Sequence, residues 1–384
     1  MKPQELALVI DENAIKMSVS VGEEASVISL SVMREEWNRG LSLLAEVLTQ
    51  PAFDQKVLEA VKNQALAVIQ RQGGDARSVL RREGYIGHFE GHPYGRDPLL
   101  ALDTIPHITA ENLRDFLKTY FVPSNMVVAI SGDIEKRDAF KGLEGFFAKL
   151  PVHKSPDRDL KKPKDSKPFV TLIHKPGQIQ SQISIWLPSV ERTHPDYWKI
   201  GLLMDIFGGS DSLMYTRLRD DLGLVYAAGF YQAYKWRAGM LIGYIGCRGD
   251  MTTIAIDEAL KIMNSLRADI PEKQLELKRQ DVLNSFVFNV DTPAQLVEVY
   301  SRYALRGEPL DTLEKIQDAY LSATRGELKG LAESFLNPSK VQIFVVGDKT
   351  TTVRTDKGDA VTLEEALKRL SSDLRLPFRE IPLR

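Results

Sequence analysis

The segment Thr109–Asp133, TAENLRDFLKTYFVPSNMVVAISGD, decides the fold because a second segment of the chain repeats its pattern. Residues Thr324–Asp348, TRGELKGLAESFLNPSKVQIFVVGD, align with it without a gap, 215 positions later. Both begin with Thr and share a Pro-Ser pair and a final Gly-Asp pair. Each pattern predicts a helix, a turn at Pro-Ser, a buried strand and a turn at Gly-Asp.

A second pair of segments supports the same interpretation. Phe53–Leu66, FDQKVLEAVKNQAL, resembles Ile270–Leu283, IPEKQLELKRQDVL, 217 positions later. Both have the spacing of amphipathic helices that open at Asp or Pro. Two pairs of segments at nearly one shift indicate an internally duplicated domain.

The duplicated unit combines strands and helices. Alternating segments such as Met17–Val32 and Gly239–Cys247 predict strands, and long helical patterns follow them. The order β-β-α-α-α-β favours an α+β fold of two homologous domains, each a mixed or antiparallel sheet with helices packed on one face. We expect an N-terminal domain at 1–150, a linker at 151–168, rich in Pro and Lys, and a C-terminal domain at 169–384.

The spacing of the duplication predicts an incomplete first domain. The first strand of the second domain, FVTLIHK, begins at Phe169, and its counterpart falls about 46 residues ahead of residue 1. We therefore expect the N-terminal domain to be truncated at its start. A fragment, an internal start and a reduced domain all remain open explanations.

Composition excludes several classes of protein. The 384 residues are 43% hydrophobic and 27% charged, with a net charge of −2, so no basic field for nucleic acid or an anionic membrane is expected. Cys247 is the only cysteine, which excludes an internal disulfide framework. No apolar run approaches the ~20 residues of a membrane span. The near-absence of cysteine is compatible with a periplasmic or a cytoplasmic location.

The stretch Gly87–Gly95, GHFEGHPYG, superficially resembles a zinc site. His88 and His92 are four positions apart, and two imidazoles at that spacing on a helix can share a metal. Glu90, however, lies on the opposite side of such a helix, and the Gly and Pro residues terminate helices. We expect a helix end that runs into a turn, with both histidines making hydrogen bonds.

The chain as a whole resembles the insulinase, pitrilysin and mitochondrial processing peptidase family of zinc metallopeptidases. Four segments carry the resemblance, and they are LSLLAEVLTQPAFDQKVLEAVKNQ from Leu41, HPYG from His92, ITAENLRDFLKTYFVPSNMVVAISGD from Ile108 and LRDDLGLVYAAGF from Leu218. The resemblance implies duplicated α+β domains, with two halves that enclose a peptide. It also implies a catalytic half with His-x-x-Glu-His and a later glutamate ligand, and a second half with an Arg and a Tyr seven residues apart.

This chain lacks the metal-binding part of that pattern. His-x-x-Glu-His is absent, and the positions that align with the later glutamate are Val61 and Val68, which offer no zinc ligand. Val57, Val61, Ala65 and Val68 follow helical spacing, so we expect them to be packed as core. An alignment error of one helical turn would instead bring in Glu59.

The Arg and Tyr of the family pattern are present as Arg219 and Tyr226. The sequence around them predicts a helix capped by Ser210 or Ser212, a turn at Gly223 and a strand that opens at Tyr226. By the resemblance, this pair binds substrate and polarises the scissile carbonyl. The alternative is that Arg219 pairs with a nearby carboxylate and Tyr226 is a half-buried strand aromatic.

The sequence therefore predicts the non-catalytic half of a zinc metalloendopeptidase that binds unfolded peptides. We expect no cofactor and no metal ligand in this chain, zinc in a catalytic partner, and a partner that is either a catalytic metallopeptidase subunit or a second copy of the chain. One alternative is an active peptidase whose His-x-x-Glu-His segment lies outside this chain. Another is a structural subunit without a proteolytic role.

Overall fold

The computed structural model describes residues 3–156, 160–286, 290–354 and 360–383. Its helices are α1 (Pro3–Glu12), α2 (Trp37–Thr49), α3 (Gln55–Gly74), α4 (Ala76–His88), α5 (Ala101–Thr104), α6 (Ala110–Tyr120), α7 (Lys136–Phe147), α8 (Tyr197–Gly208), α9 (Leu213–Tyr215), α10 (Thr252–Ala268), α11 (Glu272–Phe286), α12 (Pro293–Arg306), α13 (Thr312–Ser322), α14 (Arg325–Phe335) and α15 (Leu363–Asp373).

The strands form one large sheet and two small ones. They are β1 (Lys16–Val21), β2 (Ser26–Ser31), β3 (Phe169–His174), β4 (Gln180–Ser189), β5 (Val225–Lys235), β6 (Ala238–Arg248), β7 (Gln342–Gly347), β8 (Thr352–Arg354), β9 (Ala360–Thr362) and β10 (Phe378–Pro382). The pairs β1–β2 and β8–β9 are two-stranded, and the other six strands form a single sheet.

The chain divides into two compact units, each built from separate stretches of sequence. Unit 1 contains residues 1–64, 104–159 and 287–312, and unit 2 contains residues 65–103, 160–286 and 313–384. This division differs from the one drawn from the sequence, because α4 belongs to unit 2 and α12 to unit 1. The described residues of the expected linker, 151–156 and 160–168, contain no helix or strand.

Unit 2 is organised around the six-stranded mixed sheet. The strand order is β10-β3-β7-β4-β6-β5. β3 is parallel to both β10 and β7, whereas β4 is antiparallel to both β7 and β6. β5, antiparallel to β6, is the last strand of the order and forms one edge of the sheet.

One face of this sheet packs against α8, α10, α14 and α15. The shared core consists of fully buried aliphatic and aromatic side chains, among them Ile183, Ile185, Phe207, Ile256 and Leu367. Strand β7 is buried along its whole length, and its sequence from Ile343 to Val346 is a continuous apolar run rather than an alternating one.

The other face of the sheet packs against α4. Val79 and Leu80 of α4 lie in one buried cluster with Trp186 of β4. Gly84 makes this close packing possible, since a Cβ atom there would lie 2.4 Å from the Trp186 ring. The apolar face of α4 therefore explains why this helix belongs to the compact unit that contains residues 169–189.

Unit 1 contains the hairpin β1–β2 and a layer of helices with a much smaller core. Its buried cluster consists of Leu41 and Ala45 of α2, Phe146 of α7 and Leu150. A two-stranded hairpin alone is marginally stable in water, so the hairpin depends on its contacts with the helices.

The prediction of a strand after the first Pro-Ser turn was wrong. Both predicted helices form, and Thr109 and Thr324 each cap one with a reciprocal hydrogen-bonded box. Residues 342–347 form β7, but residues 126–131 have no strand pairing. β7 lies between β3 and β4, and no described strand of unit 1 takes their place.

The prediction that the valine face of α3 is packed as core was also wrong. Val57, Val61 and Val68 are 62%, 56% and 37% exposed. The buried face of the helix carries Leu58 and Lys62 instead. The Lys62 ammonium tolerates burial because it donates hydrogen bonds to the Glu59 carboxylate at 2.9 Å and to the Pro106 carbonyl at 3.1 Å.

None of the helices in the described ranges combines the length and the apolar character that a crossing of a lipid bilayer requires.

Candidate functional site

The helix that carries Arg219 is short, capped and irregular. The Ser212 hydroxyl accepts a hydrogen bond from the backbone N–H of Tyr215 and caps α9, as the sequence predicted. Residues Thr216–Asp221 continue α9 as a π-helix. π-Helical turns are rare and occur frequently at functional sites. Met214 and Leu218 are fully buried, which fixes this segment on the core of unit 2.

Arg219 points outward from this anchored segment and makes two contacts. Its Nη1 donates a hydrogen bond to the backbone carbonyl of Tyr226 at 3.3 Å. Its guanidinium carbon lies 5.2 Å from the centre of the Tyr215 ring, which is within the range of a cation–π contact. The guanidinium is therefore held between an aromatic ring and the start of β5.

Tyr226 lies at a bulge in the edge strand. Val225 pairs with Cys247 and Ala227 with Gly246, so Tyr226 is an extra residue without its own partner on β6. A bulge of this kind bends the strand and redirects a side chain. Tyr226 is 56% exposed, and its hydroxyl makes no hydrogen bond within the described part of the chain.

The acidic neighbours of Arg219 do not neutralise it. Asp221 lies 3.7 Å from Arg217, and Arg217 also pairs with Glu258 at 3.0 Å. A hydrogen bond from Lys261 and a second one from Arg217 hold the pKa of Glu258 below its usual value. Asp221 and Glu258 are therefore engaged by Arg217 rather than by Arg219.

Arg219 and Tyr226 together could bind and polarise a carbonyl group. A guanidinium can bind a carbonyl or carboxylate oxygen through charge-assisted hydrogen bonds, and a free phenol can donate to a developing oxyanion. The alternative from the sequence holds in part: Tyr226 is a partly exposed strand aromatic, whereas no ion pair joins Arg219 to a carboxylate of the described residues.

His88 and His92 make hydrogen bonds at a helix end, as the sequence indicated. α4 ends at His88, whose Nδ1 lies 2.8 Å from the Gln342 side-chain oxygen. Burial lowers the pKa of His88, and the Gln342 contact raises it in part. His92 Nδ1 accepts from the Tyr94 N–H at 3.2 Å, so its Nε2–H donates to the Lys161 carbonyl at 2.9 Å.

The residues on α3 do not fit a zinc site. Zinc takes nitrogen, sulfur or carboxylate oxygen ligands, and the side chains of Val61 and Val68 offer none. Glu59 is bound to Lys62 at 2.9 Å and to the Gln55 amide at 3.0 Å. Across the residues that the structure describes, no three His, Cys, Asp or Glu side chains gather in a way that could hold a metal ion.

Two features of the site were not foreseen from the sequence. Tyr215 lies four residues before Arg219, the spacing at which helical side chains meet, so its contact was detectable in principle. The bulge at Tyr226 has no local sequence signal, because it depends on the register between β5 and β6.

Comparisons with known proteins show which proteins this chain is similar to. The sequence family described as "Peptidase M16 inactive domain" matches residues 107–281, which include Arg219 and Tyr226. The "Uncharacterized zinc protease YmxG" of Bacillus subtilis is 23% identical over 86% of this chain and 80% of its own length. The "Non-peptidase homolog YmxG" of Helicobacter pylori is 21% identical over 89% of this chain and 80% of its own length.

A solved structure shows the same fold. The crystal structure of a peptidase M16 inactive domain from Pseudomonas fluorescens superposes with a TM-score of 0.84 and is 21% identical, covering 92% of this chain and 86% of that one. Residues 107–281 thus match the M16 inactive-domain family, and the resemblance of the chain to the insulinase, pitrilysin and mitochondrial processing peptidase family is confirmed. The predicted α+β fold of a peptidase half is confirmed as well.

Proposed function

We propose that this chain is the non-catalytic half of a zinc metalloendopeptidase and that it supplies Arg219 and Tyr226 to the active site of a catalytic partner. The observation that carries the proposal is the placement of the Arg219 guanidinium against the main chain of Tyr226, with the phenol exposed and free of hydrogen bonds within the described residues. Both groups can donate hydrogen bonds to the oxygen of a peptide carbonyl as that oxygen becomes negatively charged.

The position of Tyr226 on β5 supports peptide binding along the same edge. β5 ends the strand order of the large sheet, and Tyr226 lies at its start. An extended peptide can add to such an edge through main-chain hydrogen bonds, with little demand on its sequence. Unfolded or short peptides are therefore the proposed substrates.

Zinc belongs to the partner in this proposal. The partner would hold the ion with the His-x-x-Glu-His motif that this chain lacks, and the ion would supply an activated water molecule. The valines at the aligned ligand positions of α3 support this assignment, as does the name "Non-peptidase homolog" given to the relative in Helicobacter pylori.

The test is co-expression of this chain with a metallopeptidase from the same organism that carries His-x-x-Glu-His, followed by zinc analysis and cleavage of an unstructured fluorogenic peptide. We expect one zinc per pair, none in the isolated chain, and cleavage by the pair alone. Arg219→Ala and Tyr226→Phe should each lower the cleavage rate at least about tenfold without changing the zinc content.

Arg302→Ala and Tyr300→Phe on α12 are the matched controls and should leave cleavage unchanged. Stoichiometric zinc in the isolated chain would contradict the proposal. A pair whose rate is insensitive to Arg219→Ala and Tyr226→Phe would favour a structural subunit.

A further inference from the structure

Two partly exposed tyrosines stand side by side near the edge of the large sheet. Tyr231 of β5 and Tyr244 of β6 are 47% and 48% exposed. In the pairing of the two strands, Gly229 lies opposite Tyr244 and Tyr231 lies opposite Ile242. Opposite residues, and residues two apart on one strand, share a face of the sheet. Both tyrosines therefore lie on the face of Ile242, which belongs to the buried cluster of α4.

The Tyr244 ring lies over the backbone of Gly229. A Cβ atom at Gly229 would lie 2.5 Å from the Tyr244 hydroxyl oxygen. The centres of the Tyr231 and Tyr244 rings are 6.5 Å apart, with an angle of 54° between the ring planes. An aromatic ring that covers a glycine in an edge strand stabilises the sheet without any ligand. The rings alone are thus explained by the fold, whereas their hydroxyl groups are not.

The hydroxyls lie beside a cation. Within the ranges that the structure describes, neither Tyr231 nor Tyr244 makes a hydrogen bond through its hydroxyl. Burial raises the pKa of Tyr231, the phenols of Tyr85 and Tyr244 raise it further, and the nearby guanidinium of Arg81 lowers it. Arg81 belongs to α4 and is exposed. Two phenolic O–H donors and one guanidinium therefore point to a common ligand that accepts hydrogen bonds.

Arg81 differs from the other arginines of α4 in having no carboxylate partner. Arg82 is buried and pairs with Glu83 at 2.9 Å. Arg77 lies near Asp75, the residue that caps the start of the helix, and helps to lower the pKa of Asp75. In the part of the chain that the structure describes, no ion pair joins Arg81 to an acidic side chain. Its charge is therefore the one on α4 that a ligand can neutralise.

We propose that Arg81, Tyr231 and Tyr244, here called the Arg81 patch, bind an acidic side chain of the peptide substrate. A carboxylate accepts charge-assisted hydrogen bonds from a guanidinium and ordinary ones from phenols, and it donates none. The three side chains of the patch offer the matching set of donors. This inference rests on the proposed function, because the ligand is the same peptide that reaches Arg219 and Tyr226.

The position of the patch along β5 assigns it to the substrate. Tyr226 lies three residues before Gly229 and five residues before Tyr231 on the same strand. At a rise of about 3.3 Å per residue, the patch lies roughly 10–17 Å along the strand from Tyr226. A peptide extended along this edge places every second side chain on the face of α4. The patch thus selects Glu or Asp about three to five residues from the scissile bond and disfavours Lys or Arg there.

Peptide binding to the isolated 384-residue chain tests the proposal without a catalytic partner. Three fluorescently labelled, unstructured dodecapeptides differ only in one central residue, which is Glu, Gln or Lys. Fluorescence anisotropy gives their Kd values. We expect the Glu peptide to bind at least about tenfold more tightly than the Gln peptide, and the Lys peptide to bind more weakly than both. The preference for Glu should fall steeply in 1 M NaCl.

Substitutions connect this preference to the patch. Arg81→Gln, and Tyr231→Phe combined with Tyr244→Phe, should each lower the affinity for the Glu peptide at least about tenfold and leave that for the Gln peptide unchanged. Phenylalanine keeps the ring over Gly229, so the fold is preserved. Arg137→Gln, at an exposed arginine of α7, is the matched control and should bind all three peptides like wild type.

Equal affinity for the Glu and Gln peptides, or a preference for Glu that survives Arg81→Gln, would overturn the proposal. Loss of assembly with the catalytic partner in Arg81→Gln, at unchanged peptide affinity, would assign the patch to the partner and overturn it as well.

The two proposals can fail separately, because Arg219→Ala should slow cleavage by the reconstituted pair and leave the preference for Glu intact. Unchanged cleavage in Arg219→Ala contradicts the proposed function alone. Cleavage that depends on Arg219, without a preference for Glu, contradicts the Arg81 patch alone.

Discussion

Arg219 is tied to the main chain of Tyr226 by a hydrogen bond of 3.3 Å across seven residues of sequence. The bond joins a π-helix to a bulge in an edge strand, two backbone irregularities that are frequent near functional sites. The Tyr215 ring holds the other side of the guanidinium. The arginine is thus positioned before any ligand binds, which lowers the entropy that binding must remove.

Lysine should not replace Arg219. A lysine ammonium cannot reproduce a planar group that stacks on Tyr215 while donating to the Tyr226 carbonyl. We expect Arg219→Lys to lower kcat/KM of the reconstituted pair about as much as Arg219→Ala, at least about tenfold, with unchanged Tm. Peptide cleavage and thermal unfolding measure the two quantities. Wild-type activity in Arg219→Lys would show that charge alone is needed there.

Gly84→Ala should destabilise unit 2. The new Cβ would lie 2.4 Å from the Trp186 ring, and that ring is fixed because its Nε1–H donates to the Ser184 hydroxyl at 2.7 Å. Overpacking costs about 1–3 kcal/mol, which exceeds the gain of up to ~1 kcal/mol from replacing a helical glycine.

Gly330→Ala in α14 is the matched control for Gly84→Ala. Nothing lies within 4 Å of its new Cβ, so this substitution should stabilise the chain by up to ~1 kcal/mol. Urea unfolding of both variants measures the difference. Equal effects at the two glycines would contradict the close packing of α4.

Local sequence signals correctly predicted the helices that begin after Thr109 and Thr324, but they wrongly predicted a strand at residues 126–131. Thr109 and Thr324 carry their capping information within four residues, so both helices could be placed. A strand at residues 126–131 needs neighbouring strands to pair with. Those partners lie far away in the sequence, so the local pattern does not show whether they are present. The burial of the α3 valines was predicted wrongly for a related reason. An apolar stripe indicates that one face of a helix can be buried, but it does not show which element packs against that face.

The sequence predicted which residues form the candidate site, but it did not predict the backbone geometry around them. Arg219, Tyr226 and the cap at Ser212 were identifiable as residues. The π-helix and the bulge arise from the packing of Leu218 and from the register of β5 on β6, both of which are tertiary contacts. Geometry of this kind cannot be derived from the order of residues alone.

Truncation of Leu58 should be far more harmful than truncation of Val61. Leu58 is buried on α3, so Leu58→Ala should lower the free energy of unfolding by about 2–4 kcal/mol. Val61 is exposed, and Val61→Ala in the 384-residue chain should change it by less than about 0.5 kcal/mol. Urea unfolding followed by circular dichroism measures both. A larger loss of unfolding free energy in Val61→Ala than in Leu58→Ala would show that the valine face of α3 is buried.

The sign of the pH dependence at His88 follows from its burial. Burial lowers its pKa below the ordinary 6.5, so the folded chain keeps the imidazole neutral where the unfolded chain takes up a proton. The contribution of His88 to stability is therefore present above pH 6.5 and is lost as the pH falls below it. Asp205 acts in the opposite sense, because burial raises its pKa to about 6 and protonation then favours the folded chain.

His88→Gln should remove the part of the acid destabilisation that comes from the imidazole, while the contribution of Asp205 remains. We expect wild type to lose more free energy of unfolding than His88→Gln between pH 7.5 and pH 5.5, because glutamine has no proton to take up on unfolding. Urea unfolding at the two pH values gives the difference. His153→Gln, at an exposed histidine, is the matched control and should follow wild type. Parallel curves for wild type and His88→Gln would show that the buried imidazole does not contribute to the pH dependence of folding.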